Sequence, residues 1–452
     1  MKRFIYILLH LILVGCHKGF LDERTSKSLV IPTKYEDYKA LLSFTNDMNT
    51  GAFSSVVSDG EFIYTDAYIT STSIIVRNTY LWNADVYETQ LFSPAWRLPF
   101  LQVMNANIVL EGIEQLDEKT VGLERLNALK GSALFFRAMA YVELVLNFTK
   151  PYQALNADVD LGLPIRTSSD VSRLEQRSTL KQTMDFILSD LIEATALLPD
   201  RQQFITDPNR AGAYALMSRV YLGMQDYEKA LFYARECLKI QSELIDFNNV
   251  PISTPRTFPN PFVVPNPEII FNQRSNQSAQ ANSTAFQVRQ DVLDMYASND
   301  LRKTRYFNAN RNFIGNYNGT TILYSGLTTD EVWLTVAECE VRLNRSNDAL
   351  EALNMLCKNR YNNASFVPYS SQDSEEILVW TLQERRKELI TRTGWFDLRR
   401  LNIDSRFART LTRTYNGETY TLQPNSSRYV FAIPAEEINE TGMEQNIRIN
   451  ND

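Results

Sequence analysis

The sequence predicts a mainly α-helical protein, in which a scaffold of tetratricopeptide-like helical hairpins carries a large, loop-rich and aromatic-rich insertion lobe. Two segments, 213–240 and 330–361, place small and aromatic residues at the spacing of such hairpins. Helical periodicity is lost in two long stretches, 45–95 and 245–328. Because an isolated hairpin cannot bury its apolar face, we expect the helix pairs to stack against one another.

The two hairpins have recognisable positions for close helix packing. The residues that carry the pattern are Tyr221, Asp226, Tyr227, Ala230, Tyr233 and Leu238 in the first hairpin, and Ala337, Leu343, Ala349, Leu350 and Leu353 in the second. Earlier in the chain, Thr33 and Glu36 have the spacing of a capping box, which predicts a helix through Leu42. Further helices are predicted from 96 to 113, from 126 to 145 and from 184 to 198.

The two non-helical stretches differ in composition. Segment 45–95 combines Ser, Thr, Asp and Asn with many aromatic residues, whose density argues against disorder. Segment 245–328 begins with six prolines between 251 and 267, continues through a predicted strand at 268–273, and ends in an aromatic-rich part. It is either a linker between repeat blocks or a lobe built from loops, and the aromatic residues favour the lobe.

The first residues have the pattern of a bacterial lipoprotein signal. Lys2 and Arg3 precede an apolar run from Phe4 to Val14, which is too short to span a bilayer, and Leu13-Val14-Gly15-Cys16 closes it. We therefore predict a signal peptide at 1–15, acylation of Cys16, a tether at 16–32 and a single domain at 33–452.

The positions of the histidines and the negative net charge argue against several functions. The only histidines are His10 and His17, so the predicted domain has no residue for histidine-dependent catalysis or histidine-ligated zinc. The formal net charge is -7 and no basic block is present, which argues against nucleic-acid binding. Cys237, Cys339 and Cys357 lack C-x-x-C spacing, and we expect three buried, unpaired thiols. No metal, cofactor or catalytic residue is predicted.

A glycoside hydrolase is the enzymatic alternative, since a pair of carboxylates needs no histidine. Asp294 with Asp300, or Glu375 with Glu376, could supply such a pair. Neighbouring carboxylates on exposed segments are usually solvated, so the sequence favours a protein that is not an enzyme.

Several motifs follow one another along the chain: Phe20-Leu21-Asp22, Ala106-Asn107, Arg137-Ala138, Gly162-Leu163-Pro164-Ile165, Glu384-Arg385-Arg386-Lys387-Glu388-Leu389, Trp395-Phe396-Asp397-Leu398-Arg399-Arg400 and Ile433-Pro434. In this order they resemble the SusD/RagB family of outer-membrane nutrient-binding lipoproteins of Bacteroidetes. The resemblance covers nearly all of the chain after Cys16. The chain departs from the family pattern in a shorter insert at 390–394 and in the absence of a proline after Gln445-Asn446.

The resemblance implies a lipid-anchored protein at the cell surface that captures glycan for a SusC-like TonB-dependent transporter. Some branches of the family bind peptide instead, and a tetratricopeptide adaptor without a small ligand is a further alternative. Charged residues from 385 to 400 suggest an anion site, but this spacing favours a structural network of ion pairs.

Aromatic rings stack on the apolar faces of sugars, and polar side chains pair with sugar hydroxyls. On this basis we select as candidate ligand-binding residues Asp59, Tyr68, Tyr80, Trp82, Tyr317 and Tyr324.

Overall fold

The computed structural model describes residues 32–51, 54–253, 255–276, 284–450 and 452. The predicted signal peptide, the predicted lipidation site Cys16, the motif Phe20-Leu21-Asp22 and nearly all of the predicted tether lie outside these residues. Among the helices described, none is both long and apolar enough to cross a membrane.

The described residues form a predominantly helical structure. Its helices are α1 Tyr35–Leu42, α2 Thr45–Met48, α3 Ser54–Ser58, α4 Asp66–Ser71, α5 Ile74–Tyr80, α6 Pro94–Ile113, α7 Glu118–Val121, α8 Leu123–Phe148, α9 Leu180–Leu197, α10 Arg210–Gly223, α11 Tyr227–Ile240, α12 Gln290–Leu293, α13 Arg302–Tyr306, α14 Thr329–Arg342, α15 Ser346–Cys357, α16 Ser374–Glu388, α17 Gly394–Leu401 and α18 Ala435–Thr441. Short 3-10 helices lie at Phe247–Asn249 and Ser427–Tyr429.

The strands are short and pair in twos. They are β1 Thr50–Gly51, β2 Phe62–Tyr64, β3 Leu161–Pro164, β4 Arg177–Thr179, β5 Ile269–Phe271, β6 Arg274–Ser275, β7 Phe286–Val288, β8 Leu327–Thr328, β9 Leu411–Tyr415 and β10 Glu418–Leu422. β1 pairs with β6 in parallel, whereas β2–β7, β3–β4, β5–β8 and β9–β10 are antiparallel. In β2–β7, Phe62 lies opposite Val288.

The two predicted hairpins are confirmed as α10–α11 and α14–α15. Each turns through a non-glycine residue in the left-handed region, Gln225 with φ 63° and Asn344 with φ 60°. Ala230 and Ala337 are fully buried, which allows the paired helices to approach closely. α11 also packs against α14, so the two hairpins form a continuous stack.

The main core lies among the long helices of this scaffold. α8 contributes Phe135, Tyr141 and Leu144, each with no exposed surface. Removing a side chain of this size from water contributes about 1.5–3 kcal/mol. α8, which contains the helix predicted from 126 to 145, lies between α6 and α9.

The insertions predicted at 45–95 and 245–328 pack together in a second core. Phe62 of β2 stacks on Phe286 of β7 with the ring centroids 4.1 Å apart. Tyr64, Tyr306 and Phe258 belong to the same buried cluster. The lobe is therefore built from two segments that are distant in sequence, and segment 45–95 contains short helices that its periodicity did not reveal.

The predicted Thr33–Glu36 capping box is wrong. The Asp37 carboxylate instead accepts the backbone N–H groups of Thr33 and Lys34, at 3.2 Å each, because α1 begins only at Tyr35.

The three thiols are confirmed as buried and unpaired. Burial raises the pKa of Cys237, Cys339 and Cys357 above the ordinary thiol value, which makes them unreactive at neutral pH.

Candidate functional site

A polar cleft of about 730 Å³ lies between the segment 81–88, the β9–β10 hairpin and the last described residues. Its volume lies within the range of about 300–1,000 Å³ that small-molecule sites occupy. The lining residues are Leu81, Trp82, Asn83, Asp85, Glu88, Thr419, Tyr420, Thr421, Gln423, Arg428, Asn450 and Asp452.

The β9–β10 hairpin forms one wall of this cleft. It turns at Asn416-Gly417, both with positive φ (51° and 82°), as a two-residue hairpin turn of this type requires. Behind the turn, β10 brings Thr419, Tyr420 and Thr421 to the cleft. Among the described residues, these three hydroxyls have no hydrogen-bond partner, so they are free to bind a ligand.

The opposite wall contains two residues with a strained backbone. Trp82 has φ 54° and Glu88 has φ 49°, in the left-handed region that bulky side chains rarely adopt. Such a conformation costs of the order of 1–3 kcal/mol per residue and is common at ligand-binding sites. Trp82 is held there because its Nε1 donates to the Ser58 carbonyl at 2.9 Å, while the Arg413 guanidinium lies 4.2 Å from its ring centroid.

The last described residues form the end of the cleft. The Asn450 side-chain oxygen accepts the backbone N–H of Ala84 at 3.0 Å. Asp452 accepts the backbone N–H of Ser427 at 2.7 Å and lies 3.4 Å from the Arg428 Nε. Although partial burial opposes ionisation, the serine donors and Arg428 hold the pKa of Asp452 below its ordinary value. The end wall is thus fixed and ionised.

The charged groups of the cleft are engaged within the protein. Asp85 accepts the backbone N–H groups of Tyr87 and Glu88, at 3.2 and 2.8 Å. Glu88 accepts a bond of 2.7 Å from the Asn78 amide. The remaining surface combines hydroxyls and amides with the half-buried Tyr420 ring. This chemistry suits a neutral ligand with many hydroxyl groups and apolar ring faces.

Of the six candidate ligand-binding residues, Trp82 alone lines the cleft. Asp59, Tyr80 and Trp82 are 1–2% exposed; Tyr80 belongs to the lobe core and Trp82 to the main core. Burial, with the negative charge of Glu61, raises the pKa of Asp59 well above its ordinary value. Tyr68 is partly exposed and stacks on Tyr64 with centroids 5.2 Å apart.

Tyr317 and Tyr324 lie deeper, with their ring centroids 6.0 Å apart. Both are at most 3% exposed, and their hydroxyls donate to protein oxygens. The structure therefore does not bring the six residues together on one surface. Their direct contact with a ligand stays a prediction. In this structure all of them except Tyr68 are buried.

A buried ion-pair network joins the lobe to the scaffold. Arg302 contacts Asp300, Glu384 and Glu388, and Arg360 bridges Glu268 and Glu388. The network comprises five carboxylates, Glu268, Asp300, Asp330, Glu384 and Glu388, and four cations, Arg302, Arg360, Lys387 and Arg392. Removing one member of such a network would leave an unpaired buried charge, at a cost of about 3–5 kcal/mol.

A second network runs along the scaffold. Asp397 pairs with Arg385 and Arg400, and Arg400 also pairs with Glu338. The charged residues from 385 to 400 thus mainly form structural ion pairs, as their spacing favoured.

Three carboxylates, Glu268, Asp330 and Glu388, lie close enough to hold a metal ion. However, Arg360, Arg392 and tyrosine hydroxyls already donate to them. The arginines supply the positive charge that a metal would bring, so this cluster does not fit a metal site.

The sequence contains one local signal for the cleft. Asn416-Gly417 is a strong indicator of a hairpin, and it precedes Thr419-Tyr420-Thr421. The other walls are not visible in the sequence, because they meet through tertiary contacts alone.

Two family models match the chain. The model SusD-like_3, described as "Starch-binding associating with outer membrane", matches residues 19–222. The model SusD_RagB, described as "SusD family", matches residues 329–448. Among curated proteins, none matches the sequence.

Solved structures share the fold over nearly the whole chain. A putative sugar binding protein from Bacteroides vulgatus is 21% identical with a TM-score of 0.75, covering 92% of this chain and 99% of that one. A SusD superfamily protein from Bacteroides fragilis is 20% identical with a TM-score of 0.74, covering 91% and 99%. Another from Bacteroides thetaiotaomicron is 19% identical with a TM-score of 0.71, covering 92% and 100%.

Proposed function

Because the chain belongs to the SusD/RagB-like family, we propose that it is a cell-surface lipoprotein that binds glycan in the cleft and delivers it to a SusC-like TonB-dependent transporter. The family comprises carbohydrate- or nutrient-binding proteins associated with the outer membrane, rather than enzymes. The finer parts of the proposal, namely the anchor at Cys16, the glycan and the transporter, come from the sequence and from the cleft.

One observation carries the glycan proposal. Thr419, Tyr420 and Thr421, whose hydroxyls have no hydrogen-bond partner among the described residues, line the same cleft as Asn83 and Asn450. Sugar hydroxyls act as both donors and acceptors, and hydroxyls and amides match them without a net charge. We propose Tyr420 and Asn83 as ligand contacts, with Trp82 supporting the wall behind them.

The positions of the carboxylate pairs considered for hydrolysis support the proposal that the protein is not an enzyme. Asp300 is buried and lies 2.7 Å from Arg302, so it cannot flank a sugar together with the exposed Asp294. Glu375 is exposed and paired with Arg406. We expect no hydrolysis of any oligosaccharide by the purified protein, as measured by product chromatography.

Calorimetry of the protein against a panel of neutral glycans, acidic glycans and peptides tests the proposal. We expect binding to at least one neutral glycan. Binding to peptides alone would support the peptide alternative. If the panel does not bind while the transporter co-purifies with the protein, the adaptor alternative is correct.

A further inference from the structure

We infer that the protein has a second saccharide subsite, in a cavity of about 530 Å³ behind the segment 423–430, and that its ligand is a chain long enough to occupy both cavities. This inference rests on the proposed function and specifies the size of the ligand. Among the residues that line this second cavity are Lys150, Gln153, Arg399, Asn425, Ser427 and Tyr429.

The two cavities share a wall that is one chain segment thick. Arg428 lines the cleft, whereas its neighbours Ser427 and Tyr429 line the second cavity. Asp452 of the cleft accepts hydrogen bonds from the Ser426 hydroxyl at 2.5 Å and from the Ser427 backbone at 2.7 Å. Crossing from one cavity to the other therefore requires passing only this segment.

The part of this wall that contains Gln423 and Asn425 is accessible to a ligand. Gln423 belongs to the cleft and Asn425 to the second cavity, and both side chains are exposed. Asn425 has φ 60°, a left-handed conformation that asparagine tolerates better than most residues. Its amide nitrogen donates to the Asn402 carbonyl at 2.9 Å, and its side-chain oxygen has no hydrogen-bond partner among the described residues.

The second cavity is lined by the same kinds of polar side chain as the cleft, mainly hydroxyls and amides. Lys150 is paired with Asp160 at 2.7 Å, and hydroxyls and amides supply most of the remaining polar groups. The Gln153 side chain is exposed and makes no hydrogen bond to the described residues. A ligand that fits the cleft by hydroxyl pairing therefore finds the same kind of partners here.

Arg399, which lines the second cavity, has a buried hydrogen-bond donor without a partner among the described residues. It is 5% exposed, its terminal nitrogens donate to the carbonyls of Leu146 and Thr149, and its Nε has no hydrogen-bond partner. Among the described carboxylates, none forms an ion pair with it. Such unsatisfied buried donors are rare in folded proteins, and an ordered water or an ion commonly accounts for them.

The volumes indicate the length of the ligand. Each cavity alone lies in the range of a single small-molecule site, so a short fragment can occupy only one of them. Once one end of a longer chain is bound, the other end is present at high effective concentration beside the second cavity. Affinity should therefore increase with chain length until both cavities are filled.

Fragments of two, four, six and eight sugar units, prepared from the panel glycan that binds, test this by calorimetry. We expect the hexasaccharide to bind at least tenfold more tightly than the disaccharide, with one hexasaccharide per protein. Gln153→Trp should narrow the second cavity and lower the hexasaccharide affinity to the disaccharide value, without changing disaccharide binding. Asn425→Gly, which keeps the left-handed backbone, should have the same effect to a smaller degree.

The matched control is Gln203→Trp, at an exposed glutamine that lines neither cavity. It should retain the full length dependence, and circular dichroism should show that all variants are folded. Equal affinities for all lengths, or a length dependence that survives Gln153→Trp, would overturn the second subsite while leaving the proposed function intact. If no fragment of any length binds the wild type, the proposed function fails and the subsite fails with it.

Discussion

The Tyr317 hydroxyl donates a 2.5 Å hydrogen bond to Glu268 Oε2, and both residues are buried. Tyr317 belongs to the lobe core, and Glu268 pairs with Arg360 in the ion-pair network that joins the lobe to the scaffold. The Arg392 guanidinium lies 4.9 Å from the Tyr317 ring centroid and completes the contact. A residue chosen from the sequence as a ligand contact thus joins the two parts of the protein.

Tyr317→Phe should lower the free energy of unfolding by about 1–3 kcal/mol, because it leaves a buried carboxylate oxygen without its donor. Urea unfolding followed by circular dichroism measures the change. Tyr68→Phe is the matched control, since the Tyr68 hydroxyl has no partner among the described residues, and it should alter stability by less than about 0.5 kcal/mol. An equal loss in both variants would contradict the role assigned to the Tyr317 hydroxyl.

The ion-pair network should make stability depend on pH. It holds five carboxylates against four cations, and burial raises the pKa of Glu268 to about 7 despite the opposing charge of Arg360. The folded protein therefore binds a proton more tightly than the unfolded chain does. The contribution of Glu268 is fully present below its unfolded pKa, near 4.5, and is lost as the pH rises through about 7.

Glu268→Gln should remove this dependence. We expect the stability of the wild type to fall by up to about 3 kcal/mol more than that of the variant between pH 5 and pH 7.5. Urea midpoints at several pH values measure the difference. Parallel pH profiles for the two proteins would show that Glu268 does not hold the proton.

Tyr420→Ala should weaken binding of the panel glycan about tenfold, because a lost ring contact is worth about 0.5–1.5 kcal/mol. The change is measured by calorimetry. Tyr415→Ala lies on the same hairpin outside the cleft and should leave the affinity unchanged. Similar losses in the two variants would indicate damage to the hairpin rather than loss of a contact.

Trp82→Phe should cost about 1–3 kcal/mol of stability, since the Ser58 carbonyl loses its donor. It should leave glycan binding within about twofold of the wild type, because Trp82 is 2% exposed and offers little surface to a ligand. Thermal unfolding and calorimetry on the same sample measure both effects. A large loss of affinity in a stable variant would instead assign Trp82 to the ligand.

Cys16→Ala should release the protein from membranes, because the predicted acyl chains are its only predicted anchor. Fractionation of cells with detection of the protein measures this. Cys237→Ala, at a buried thiol, is the control and should remain attached. Continued membrane attachment of Cys16→Ala would contradict lipidation at this position.

The fold was more predictable than the site for a physical reason. Ala230 and Ala337 indicate close helix contacts through local spacing, which the sequence displays directly. Tyr80 and Tyr324 show only that aromatic residues are present in the lobe, and their burial depends on contacts between distant segments. The cleft combines residues near 82, 420 and 452, which no local pattern connects.

The pairing of Phe62 with Val288 has a consequence for how the protein reaches its native state. Phe62 of the first insertion stacks on Phe286, so this contact cannot form until the second insertion has been synthesised. Contacts of such long sequence separation form slowly, and exposed apolar segments aggregate in the meantime. Maturation of this protein should therefore depend on chaperones that shield the early segment until its later counterpart arrives.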